Sequence, residues 1–80
     1  MRVEILFFGM SKDLSGETKA FLELDSGFTV SSLRNMLHEK YPLFSQMDSF
    51  AIAVNESYAD DQLALVENDT IAIIPPVSGG

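Results

Sequence analysis

The residues with the clearest chemical potential are Gly79 and Gly80, which follow Val77, Ser78 and a Pro75–Pro76 pair in the closing stretch IIPPVSGG. At ordinary glycine usage, two glycines fall together at a chain end in about 0.5% of sequences, so the setting says more than the pair. Glycine has no Cβ and tolerates extended or left-handed backbone, which lets such a segment thread a channel too narrow for other residues. The two prolines stiffen the approach to it. Together they place a main-chain carboxylate on a short stalk without bulky neighbours. A carboxylate is a poor electrophile and a poor sulfur donor, so useful chemistry at Gly80 requires activation, most simply by ATP to an acyl-adenylate. Attack by sulfide then yields a thiocarboxylate, whose sulfur is anionic and nucleophilic near neutral pH. Attack by an amine yields an isopeptide bond instead. Both routes begin with the same activation, and the first would supply a thiolate-like atom to a chain that has no cysteine.

The remaining reactive side chains have plainer readings. Absence of cysteine excludes disulfides, thiolate nucleophiles and thiolate metal sites. His38, the one histidine, falls near a helix end, where a cation is mildly favoured, and reads as a surface or capping residue. Ser78 has no recognisable base or oxyanion donor beside it. Asp60 and Asp61 lack the spacing of a calcium loop and read as a solvated charged turn. Met10, Met36 and Met47 read as filler or surface residues. Twelve acidic against five basic residues give a formal charge of −7, which repels phosphate backbones and anionic lipid headgroups, so neither nucleic acid nor a membrane is an expected partner. The charge favours solubility and a partner with a basic docking surface. MRVEILFFGM is interrupted by Glu4 and lacks a small-residue cleavage pattern, and no run approaches the roughly 20 apolar residues of a membrane span. The expected location is the cytoplasm.

Positioning a C-terminal stalk requires a small rigid body. At 80 residues the chain makes one domain that buries roughly 60% of its unfolded surface, enough for one sheet and one helix. Val3, Ile5 and Phe7 alternate with Arg2, Glu4, Leu6 and Phe8, as in a strand. GMSKDLSGE reads as a loop leading to TKAFLEL, where Ala20, Leu22 and Leu24 alternate with Lys19, Phe21 and Glu23, giving a hairpin. Thr29 is placed to cap a helix in which Val30, Leu33, Leu37 and Tyr41 recur at helical spacing, and Pro42 ends it. PLFSQMDS reads as a loop. FAIAV sets Phe50, Ile52 and Val54 on one face and Ala51 and Ala53 on the other; Asn55 and Glu56 form a turn. SYADDQLALVEND reads as a very short strand and one helical turn, closing in a polar turn at Glu67–Asp69. TIAII is the last strand, stopped by Pro75, which lacks the N–H a ladder needs. The expected divisions are a body over 1–74 and a projecting tail over 75–80. The class is α+β, a mixed sheet of four to five strands packed on one main helix, with the first and last strands expected side by side in parallel at its centre.

PPVSGG, with LFFG at residues 6–9, TVSSLRNML at the helix and AVN at 53–55, makes the chain similar to the small, sulfur-carrier subunits of molybdopterin synthases over nearly its whole length. The resemblance implies a ubiquitin-like β-grasp fold and a carrier with no complete active site of its own. It further implies that a ubiquitin-activating-type adenylyltransferase uses ATP to adenylate Gly80, that a sulfur donor makes the thiocarboxylate, and that Gly79 eases passage into the large subunit. There the sulfur would build the dithiolene on a pyranopterin precursor. It implies a heterotetramer with two large subunits, no cofactor or metal held by this chain, and partner contacts through Phe8, Tyr58, Ile74, Pro75, Pro76, Val77 and Ser78. One departure is Glu67–Asp69, where relatives often have glycine; Asn68 tolerates the left-handed conformation such a turn needs. The alternatives are a carrier for thiamin or another sulfur pathway, a ubiquitin-like protein modifier, and a plain β-grasp interaction domain.

Overall fold

A computed structural model describes residues 1–47 and 49–76. Strand β1 (Arg2–Phe7) leads through helix α1 (Met10–Ser15) to β2 (Lys19–Glu23). Helix α2 (Val30–Lys40) and a 3-10 turn (Pro42–Gln46) precede β3 (Ala51–Val54), β4 (Ser57–Tyr58) and β5 (Thr70–Ile74). The sheet order is β2-β1-β5-β3-β4. β1 and β5 pair in parallel, and every other neighbouring pair is antiparallel. The expected mixed sheet, with its first and last strands adjacent, is therefore present, and it has five strands.

Alternation decides which face is buried. Val3, Ile5 and Phe7 of β1, Ile71 and Ile73 of β5, and Ile52 and Val54 of β3 all point inward, where Val30, Leu33 and Leu37 of α2 cover them. With 11 residues, α2 is too short to be stable alone in water, so this packing is what holds it. Thr29 accepts the Ser32 N–H at 3.2 Å, which satisfies one free donor of the first turn. At the other end Tyr41 leaves helical geometry (φ −123°, ψ 84°) ahead of Pro42.

Three local readings are corrected. Residues 10–15 form a helix and not a loop. Gly9 (φ 52°) and Gly16 (φ 77°) bracket it, and the buried Ser11 hydroxyl donates to the Phe8 carbonyl at 2.6 Å. Pro42–Gln46 also winds into a 3-10 turn, because Phe44 has to reach the core, where it is fully buried. Between Ser57 and Asp69, β4 is present but the expected helical turn is not; a bridge from Ala64 to Thr29 takes its place and draws Leu65 inward.

Candidate functional site

The outer face of the sheet carries the candidate site. Its register sets Leu6 beside Ala72, Ala72 beside Ala53 and Ala53 beside Tyr58, making one row across four strands. Alanine at the two central positions leaves a floor, while Phe8 and Ile74 on one side and Tyr58 on the other stand above it. The result is an open concavity of about 470 Å³ lined by Phe8, Ala53, Glu56, Tyr58, Ala72 and Ile74. Phe8 is 49% exposed and Tyr58 76% exposed. Exposed apolar side chains gathered in one place form a patch of the kind that makes this face the candidate site. The structure thus brings together Phe8, Tyr58 and Ile74, three of the seven residues named as partner contacts.

The rim toward β4 is fixed by a polar lattice that the sequence reading did not pick out. Asn55 and Glu56 form the two-residue turn between β3 and β4, both left-handed, at φ 51° and 72°. Such turns match the twist of a hairpin but favour asparagine followed by glycine. Asn55 is held on three sides: its N–H donates to the Thr70 carbonyl at 2.8 Å, its Oδ1 accepts the Thr70 N–H at 3.0 Å, and its Nδ2 donates to Asp69 Oδ1 at 2.8 Å. Asp69 is buried, and its Oδ2 accepts the Val66 N–H at 2.8 Å. One carboxylate therefore ties the turn to the start of β5. The polar run Glu67–Asp69 was legible as a turn, and Asn68 does adopt φ 70°.

The chain leaves the body at the same face. Pro75 follows Ile74 directly, and a Cβ placed on Gly9 would lie 3.7 Å from Pro75 Cγ, so the exit runs against the turn that follows β1. Pro75 is half-buried and Pro76 exposed. Val77, Ser78, Gly79 and Gly80 lie outside the described residues, as does most of the expected tail over 75–80.

Two ion pairs lie elsewhere on the surface. Lys19 pairs with Glu4 at 3.4 Å, and Arg34 with Asp61 at 3.2 Å, so Asp61 sits in a surface ion pair. Among the described residues no three His, Asp or Glu side chains gather as metal ligands. His38 is exposed on α2, 5.5 Å from the Phe50 ring centroid. The Tyr41 hydroxyl donates to Glu17 on the helical side of the sheet; burial first, and then that hydrogen bond and the Glu17 charge, push its pKa well above the ordinary tyrosine value. Among the described residues no helix is long and apolar enough to cross a membrane.

The ThiS family model matches residues 5–80. The molybdopterin synthase sulfur carrier subunit of Drosophila melanogaster is 37% identical over 83 residues, covering 100% of this chain and 92% of that protein. A solved complex of subunits 1 and 2 of molybdopterin-converting factor from Helicobacter pylori contains a chain 33% identical, with full coverage of both and a TM-score of 0.71. SAMP1 from Haloferax volcanii superposes with a TM-score of 0.87 at 24% identity, again over both whole chains. That last likeness is one of fold, the ubiquitin-like β-grasp.

Proposed function

Since the chain belongs to the ThiS family, we propose that it is a sulfur carrier, the small subunit of a molybdopterin synthase. In this reading a ubiquitin-activating-type adenylyltransferase joins the Gly80 carboxylate to AMP with release of pyrophosphate. Sulfur at the sulfide level then displaces AMP and leaves a thiocarboxylate. The tail enters the large subunit, where the sulfur attacks the pyranopterin precursor on the way to the dithiolene, and water returns Gly80 to a carboxylate. Two carriers are consumed per dithiolene, which suits an assembly of two large and two small subunits. The active site belongs to the large subunit; this chain supplies the reactive terminus and the surface that aligns it.

The observation that carries the reading is the meeting of docking face and exit. Ile74 walls the apolar concavity, and Pro75, the next residue, lies close to Gly9, where an added Cβ would meet its Cγ at 3.7 Å. A partner seated on Phe8, Tyr58 and Ile74 lies beside the origin of residues 77–80, whose extended reach is at most about 14 Å. Pro75 and Pro76 set the direction of departure; Val77 and Ser78 are assigned to the walls of the partner's channel, and Gly79 to its narrowest part.

The test is mass spectrometry of the untagged protein from its own host. Sulfur in place of one oxygen adds about 16 Da, as methionine oxidation nearly does, so the tail peptide is fragmented to place the change. Sulfur at Gly80, followed by dithiolene formation when the thiocarboxylate protein is mixed with large subunit and precursor, is the expected result. Gly80 found only unmodified or joined to lysines of other proteins overturns the carrier reading, and the second outcome identifies a protein modifier.

A further inference from the structure

The geometry points to Glu56 as a charge that selects the partner: its carboxylate, at the rim of the apolar concavity, meets a lysine or arginine of the surface that docks there. The inference rests on the docking face assigned above and goes beyond it by naming the chemistry of the opposing group. Of the six residues lining the concavity, Glu56 alone carries a formal charge at neutral pH. Five of the other acidic side chains are engaged within the fold: Glu4 with Lys19, Glu17 with Tyr41, Asp61 with Arg34, Glu67 with the Arg2 N–H, and Asp69 with Asn55. Asp13, Glu23, Asp25, Glu39 and Asp60, like Glu56, have no such partner among the described residues, but none of them lines the concavity.

Its backbone sharpens the point. Glu56 holds φ 72° at the second position of a two-residue turn, where glycine relieves the clash that a Cβ introduces. A side chain there works against local conformational preference, and such strain gathers at functional sites. The turn is also rigid, because Asn55 is bonded to both Thr70 and Asp69, so the backbone that carries Glu56 is fixed before a partner arrives. Docking removes water from the surrounding Phe8, Ala53 and Tyr58 surface, which lowers the local dielectric and strengthens an ion pair at its edge. With a formal charge of −7 on the chain, the surface that complements it is basic.

The experiment measures association of the full chain with the synthase large subunit of the same host, at about 0.05 M and about 0.5 M salt. Parent, Glu56→Gln, Glu56→Gly, Glu56→Lys and Phe8→Asp are compared after thermal melting has shown each to be folded. Glu56→Gln and Glu56→Gly are expected to bind about two- to fivefold more weakly at low salt, chiefly through a slower association rate, and to converge with the parent at high salt. Glu56→Lys is expected to lose about tenfold or more at low salt. Glu56→Gly should melt no lower than the parent, which separates lost contact from lost fold. Phe8→Asp should weaken docking at both salts. If Phe8→Asp impairs binding while the Glu56 variants match the parent throughout, the charge inference fails and the docking face stands. If Phe8→Asp also binds like the parent, the docking face itself is wrong and the Glu56 inference falls with it.

Discussion

Asp69 shows how one buried carboxylate can govern a surface it does not line. It accepts from Asn55 Nδ2 and from the Val66 N–H, both at 2.8 Å, at a position that is 5% exposed. Asp69→Ala leaves both donors without that acceptor and should destabilise the protein by about 2 kcal/mol, a large part of the roughly 5–15 kcal/mol that holds a domain together. For a chain of this size the melting temperature should fall by roughly 8–16 °C. Urea denaturation checks it, and a loss below about 0.5 kcal/mol would place the turn's rigidity elsewhere. Asp69→Asn, which keeps one acceptor oxygen, should fall between. At this scale the sequence was legible where a residue type answers one local demand: Asn68 for a left-handed turn, Phe8 and Ile74 for an outward position at a strand end. Asp69 and Glu56 were not singled out, because burial and rim position depend on strands brought together from distant parts of the chain.

Among the elements, β1, β2, α2, β3 and β5 were readable because each carries enough periodic apolar residues to reveal a face. Helix α1 has six residues, fewer than two turns, so no helical period can emerge from it. The 3-10 turn after Pro42 hides its purpose in a single side chain, Phe44. That side chain ties several elements together, stacking on Tyr41 at 5.3 Å between ring centroids and meeting Phe7 and Phe50 edge-on. Tyr41 in turn joins the end of α2 to the segment between α1 and β2 through its hydrogen bond to Glu17. Since its pKa in the fold is raised above the ordinary 10.0, the folded state keeps a proton that the unfolded chain gives up first. Tyr41 therefore contributes fully below pH 10 and progressively less above it, by up to about 1.4 kcal/mol per pH unit. Tyr41→Phe should be less stable at pH 7 by about 1 kcal/mol, the worth of one hydrogen bond, yet decline less steeply than the parent from pH 10 upward. Chemical denaturation of both proteins at pH 7, 10 and 11 gives the comparison; parallel declines would remove Tyr41 from the alkaline limb.

For the whole molecule, β1 and β5 lie side by side in parallel although they stand near opposite ends of the sequence. That pairing carries Phe8, just beyond β1, and Ile74, at the end of β5, to the same edge of the outer face. The proposed docking surface and the exit of the tail are consequences of one topological choice, which the element order suggested but strand periodicity alone could not fix. The strands and the buried core lie within residues 2–74, while the proposed chemistry lies at Gly80. Fold and function should therefore separate cleanly. Deleting Gly79 and Gly80 should leave the melting temperature within about 3 °C of the parent and leave docking through Phe8 and Tyr58 largely intact, while abolishing sulfur loading and dithiolene formation. The truncated chain should then compete with the intact carrier for the large subunit and inhibit a reconstituted synthase in proportion to its share of the mixture. Full activity in its presence, despite normal folding, would mean that docking draws its strength from the tail and that the concavity only guides it.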